Sequence, residues 1–99
     1  MGQAARPGPG EYLMLLYEYV PDVVERRAPH REEHLRLLRL LKDAGRLLMA
    51  GALGDPPTGA AIVFVTADPA DVEAFVGADP YVANGLVIGW RVLPWRVAV

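Results

Sequence analysis

Residues 11–20, EYLMLLYEYV, place apolar side chains on both faces of any strand they form. Successive side chains of a strand point to opposite sides, so Met14 and Leu16 share one face and Leu13, Leu15 and Tyr17 the other. The run 60–66, AAIVFVT, repeats the pattern, with Ile62 and Phe64 opposed to Val63 and Val65. A sheet covered on one side alternates apolar with polar residues. These strands do not, so both faces of their sheet need cover.

The rest of the chain supplies cover for one face. Pro21 ends the first strand, and 22–44 reads as helical, with Asp22 able to cap it. Pro29 lacks the amide a helix interior needs and should break or restart that segment. Beyond it Leu35, Leu38 and Leu41 recur at helical spacing, while Arg31, Arg36, Arg39 and Lys42 turn outward. Gly45 suits a left-handed C-cap. RLLMAGAL (46–53) reads as a second strand, GDPPTG (54–59) as a loop, and 60–66 as a third strand. ADPADVEAFV opens a second helix, with Asp68 as N-cap, Pro69 at the first helical position and Asp71 in the first turn. GADPYVANG (77–85) reads as an irregular connection. LVIGWRVLPWRV (86–97) is the last strand, Pro94 marking an edge or bulge.

The order β-α-β-β-α-β is the split pattern of α+β, ferredoxin-like folds: a four-stranded antiparallel sheet with two helices on one face. The second face would then be a large apolar patch in water. Hydrophobic residues make up 53% of the 99, more than one small core should need. The economical solution is a homodimer packed sheet against sheet, or a higher homo-oligomer built from such dimers.

Ninety-nine residues make one domain, placed at 11–99. The leading MGQAARPGPG (1–10) is dense in Gly and Pro and reads as a flexible tail. It has no apolar signal core, and Arg6 stands where an acylation motif needs Ser or Thr. The apolar run 12–20 is too short to span a bilayer. The absence of cysteine removes disulfides, thiolate metal sites and a cysteine nucleophile. A net charge of -2 gives no basic face for nucleic acid. The expectation is a soluble, cytoplasmic protein that binds neither nucleic acid nor membrane.

Both histidines fall in one stretch, His30-Arg31-Glu32-Glu33-His34. Its letters fit the H-x-x-E-H signature of inverted zincins, and four-residue spacing puts both imidazoles on one helix side. A catalytic zinc needs a third protein ligand, and no second cluster in the sequence supplies one. No metal is expected. His34 continues the stripe Leu37, Leu38, Leu41, so it faces the sheet and needs a hydrogen-bond partner. A backbone carbonyl would make it a structural histidine, for which His34→Leu would be neutral or stabilising. Asp79, before Pro80, could simply start a turn. Alternatively its carboxylate could fix the tautomer of an imidazole and make it a general acid or base.

The blocks ERRAPHREEHLRLLRLLKDAGRLLMAGAL and ADPYVANGL resemble the YCII-related family, small proteins of the dimeric α+β barrel group. The likeness covers nearly all the chain after the tail. It includes the Arg-x-x-His-Leu motif at Arg31, His34 and Leu35, and the Asp-Pro-Tyr at 79–81. It implies a His34–Asp79 pair in a pocket, with Arg31 and Tyr81 as substrate-binding neighbours, and no role for His30. It also supplies a second reason to expect the dimer. Pro29 within the first helical region and the short loop 54–59 depart from the family pattern at the pocket rim.

No Ser or Cys nucleophile motif, phosphate-cradling loop or dinucleotide fingerprint is present. What remains is cofactor-independent proton transfer, as in isomerisation, elimination (including dehalogenation) or lactone-type rearrangement. Arg31 could hold an anionic group of a small acidic or aromatic substrate. The resemblance extends to muconolactone-isomerase-like and dehydrochlorinase-like proteins. The rival expectation is a non-catalytic dimeric module that binds a small ligand or serves as an accessory domain.

Overall fold

The computed structural model describes residues 10–99; the expected tail lies outside them, except for Gly10, which opens the first strand. Strand β1 runs Gly10–Tyr19. A single helical turn, α1 (Val23–Arg26), and a 3-10 turn, Ala28–His30, lead into the long helix α2 (Arg31–Asp43). Strands β2 (Leu47–Leu53) and β3 (Gly59–Phe64) follow, then α3 (Pro69–Ala78), the one-turn α4 (Pro80–Ala83) and β4 (Val87–Val97). The sheet order is β2-β3-β1-β4, with every neighbouring pair antiparallel. This is the expected α+β, ferredoxin-like arrangement. Among the described residues no helix is long and apolar enough to cross a membrane.

One segment divides where Pro29 was expected to break it, and one differs from expectation. The helical stretch 22–44 is divided, because Pro29 cannot donate an amide and the chain tightens to 3-10 geometry around it. Asp22 stands at the N-cap of α1 but makes no side-chain cap bond. The connection 77–85 is not irregular: it holds α4, started by Asp79. At the other boundaries the chemistry acts as read. Asp68 accepts from the Ala70 amide, and Gly45 ends α2 at φ 75°.

Leu13, Leu15 and Tyr17 of β1 and Ile62 and Phe64 of β3 pack against Leu38 of α2 and Val72, Phe75 and Val76 of α3. Both longer helices therefore cover one face. The opposite face carries Met49 and Leu53 from β2 and Leu93 and Trp95 from β4, all more than 40% exposed. Their register partners Val63, Met14 and Tyr12, with the Leu16–Ala61 pair beside them, lie on the same sheet face, over which no described helix packs.

The β1–β3 pairing fixes Tyr17, and one glycine makes that pairing possible. A Cβ on Gly59 would collide with the Tyr17 carbonyl oxygen, a backbone atom that cannot swing aside. Gly59→Ala should cost about 1–3 kcal/mol, as overpacking of a closed structure does. Urea unfolding checks this; an unchanged midpoint would show that the strands can part without loss.

Candidate active site

Asp79 sits at the corner where α3 gives way to α4, its backbone extended at φ -75° and ψ 119°. Pro80 brings no amide, so the first donor of α4 is the Tyr81 N–H, which Asp79 Oδ1 accepts at 3.0 Å. The cap aims the carboxylate back into the core, where Asp79 is fully buried. There Oδ2 accepts the Tyr17 hydroxyl at 2.8 Å, across from β1. Oδ1 also meets His34 Nδ1, from the first turns of α2, at 2.8 Å.

Three elements thus converge on one carboxylate. Two of its partners are fixed donors, and a carboxylate oxygen can only accept, so the His34 proton is assigned to Nδ1. Nε2 is then the nitrogen without a proton. It has no hydrogen bond to the protein among the described residues, yet no buried side-chain nitrogen or oxygen is left unpaired. Nε2 therefore opens onto the cavity that His34 lines. The ring orientation is held by Tyr81, stacked on the imidazole at 3.8 Å between centroids and 2° between planes. The partner of His34 is a carboxylate, not the backbone carbonyl of a structural histidine.

The cavity is about 190 Å³. Its polar side is formed by Tyr19, Arg27, Arg31, His34 and Tyr81. Leu35, Leu38 and Ile62 make an apolar wall, and the small residues Ala50, Gly51, Ala52 and Ala60 leave the opposite side flat. Of the residues singled out in the sequence, His34, Arg31 and Tyr81 face this cavity and Asp79 stands behind them. His30 ends the 3-10 turn before α2 and does not line it. Among the described residues no three His, Asp or Glu side chains gather as a metal-ligand group.

Sequence reasoning missed Tyr17 and Arg27. Tyr17 carried a signal, because a phenol on a buried apolar face has to bond something. Arg27 carried none, being one arginine among several on a helical stretch.

Burial holds the Tyr17 phenol well above its ordinary 10.0, and the charge and hydrogen bond of Asp79 push the same way. Burial also raises Tyr19 and Tyr81, with the Arg27 and Arg31 guanidiniums pulling both back. All three hydroxyls therefore hold their protons to higher pH than a free phenol does. Below about pH 10 these phenols are protonated in folded and unfolded chains alike, and their contribution to stability is intact. Above it the unfolded chain releases protons that the fold retains, so stability falls as pH rises. Each phenol contributes up to about 1.4 kcal/mol per pH unit. Tyr17→Phe should remove one such increment from the alkaline slope in urea unfolding. Equal slopes in parent and variant would mean that Tyr17 titrates freely.

The sequence model of the YCII-related domain matches residues 11–96. Protein YciI of Escherichia coli O6:H1 is 36% identical over 84 residues, which cover 76% of this chain and 86% of that protein. Protein YciI of Shigella flexneri matches to the same extent. Among solved structures, 5-chloro-2-hydroxyhydroquinone dehydrochlorinase (TftG) of Burkholderia phenoliruptrix, in complex with 2,5-dihydroxybenzoquinone, superposes with a TM-score of 0.72. That match covers 86% of this chain and 93% of the other at 22% identity, a likeness of fold. With its family match spanning all four strands and both long helices, this chain belongs to the YCII-related family.

Proposed function

We propose that this protein is a small enzyme that transfers a proton with the His34–Asp79 pair, without a cofactor. The reaction is of the isomerase or lyase (dehydrochlorinase) type, and the substrate is small and acidic or aromatic. One observation carries the reading: a fully buried carboxylate holds Nδ1 of an imidazole whose Nε2 opens onto a cavity.

Neutral His34 would take a proton from a substrate carbon through Nε2, and Asp79 would balance the imidazolium that forms. In isomerisation the same proton returns to a different carbon. In elimination the C–H electron pair becomes a double bond as an anionic leaving group departs with its own pair, and the proton stays on His34 until solvent removes it. Arg31 would hold an acidic group of the substrate, and Tyr81 would line the site while bracing the imidazole. The dehydrochlorinase likeness favours ring substrates and elimination, by analogy of fold. The same reading pairs two copies through the uncovered sheet face, so that each cavity belongs to one protomer of a homodimer.

The test is solvent-deuterium incorporation, or halide release, across a panel of cyclic acids and chlorinated hydroxyquinols, with His34→Gln as control. Exchange that depends on His34 supports the enzyme. Binding without exchange over the panel would point to a ligand-binding module.

A further inference from the structure

Arg27 and Arg31 both line the cavity, and neither has an acidic partner among the described residues. Other arginines differ: Arg26 meets Asp22, Arg36 meets Glu33, and Arg46 meets Asp71. Both cavity guanidiniums act on the Tyr19 and Tyr81 phenols, which puts the two cations together at the tyrosine side of the cavity. The buried anion nearby, Asp79, already has its oxygens occupied by His34, Tyr17 and the Tyr81 amide. The cavity is therefore lined by two cations that pair with no carboxylate, Arg31 reaching the Tyr81 hydroxyl instead, and the single buried anion behind it leaves an excess of positive charge.

Shape narrows what could supply that charge. An apolar cavity of about 150 Å³ accommodates benzene. About 190 Å³ therefore has room for one six-membered ring with a small substituent. Ala50, Gly51, Ala52 and Ala60 offer a surface without branches, against which a flat ring can lie. Two guanidinium forks are suited to a planar anion with two oxygens.

We propose that Arg27 and Arg31 form a two-guanidinium clamp for the carboxylate of a monocyclic acid whose ring lies on the alanine and glycine floor. The clamp rests on the proton-transfer reading only in its consequence. It presents a ring carbon close to the carboxylate to His34 Nε2, and the same cations stabilise negative charge left on the ring when the proton departs. Arg27 thereby becomes a substrate-binding residue.

Benzoate and its neutral analogue benzamide, titrated calorimetrically into the full chain, test the clamp. Benzoate should bind at least about tenfold more tightly than benzamide, and added salt should weaken benzoate alone. Arg27→Gln and Arg31→Gln should each weaken benzoate roughly 10- to 100-fold and benzamide by much less, since a neutral carbonyl gains less from a guanidinium than a carboxylate does. Arg27→Lys, which keeps the charge and loses the fork, should recover only part of the affinity. Equal binding of the two probes, or unchanged benzoate affinity in Arg27→Gln, overturns the proposal. Clamped benzoate together with no proton exchange on any cyclic acid would leave the clamp standing and remove the catalytic reading.

Discussion

Asp79→Ala should destabilise the fold by about 3–5 kcal/mol, the usual cost of removing one partner from a buried charged network. Asp79 is fully buried and accepts from three donors on three elements. Alanine strands the Tyr17 hydroxyl, the His34 Nδ1–H and the Tyr81 amide, and also removes the cap of α4. A domain of this size has about 5–15 kcal/mol in all, so the variant would lie near the limit of folding. Its melting temperature should fall by more than about 10 °C. Asp79→Asn is the informative partner. Its amide oxygen can stay at the Oδ1 position for His34 and Tyr81, while its NH2 meets a rotated Tyr17 hydroxyl. The cost should then be about 1–2 kcal/mol. Urea unfolding of both variants measures the difference. If Asp79→Ala came within about 1 kcal/mol of the parent, the network would not be holding these elements together.

The fold was legible because its signals are local and agree with one another. Strand period, the Asp68-Pro69 start of α3 and the glycine after Ala44 each act at their own position. The two-sided apolar pattern of β1 and β3 went further, since it showed a second sheet face that the chain's own helices leave open. The division of α1 from α2 lay in Pro29, whose effect on the backbone could be read without knowing the boundaries. The one-turn helix α4 was hidden because four residues carry no period. Its N-cap was in plain sight as Asx-Pro.

The site was legible only in halves. His34 and Asp79 are 45 positions apart, and no spacing rule relates a helix face to a loop on the far side of two strands. Family resemblance joined them, and the structure supplies the geometry that places them 2.8 Å apart. Tyr17 shows what resemblance leaves out. It lies on the inward face of β1 among Leu13 and Leu15, where its side chain alone passes for core. Its hydroxyl is what ties the sheet to the carboxylate. Arg27 could not be read from local pattern at all, because its place in the cavity depends on how the chain turns before α2.

His34→Gln should reduce turnover by about 10²–10⁴-fold, the range that a positioned general acid or base contributes. Glutamine can still donate to Asp79 through its NH2 group, so the buried carboxylate keeps its third donor and the fold should lose no more than about 1 kcal/mol. It cannot accept a proton from carbon, so binding of an acid in the cavity should survive while chemistry does not. That split between kcat and KM separates a general base from a residue that only shapes the pocket. His34→Leu gives the complementary result. It removes the donor from a fully buried carboxylate, so stability should fall by about 1–3 kcal/mol rather than stay level. A leucine variant as stable as the parent would mean that Asp79 does not depend on the imidazole. A glutamine variant with full turnover would show that Nε2 is not the atom that moves the proton, whatever the pair does for the fold.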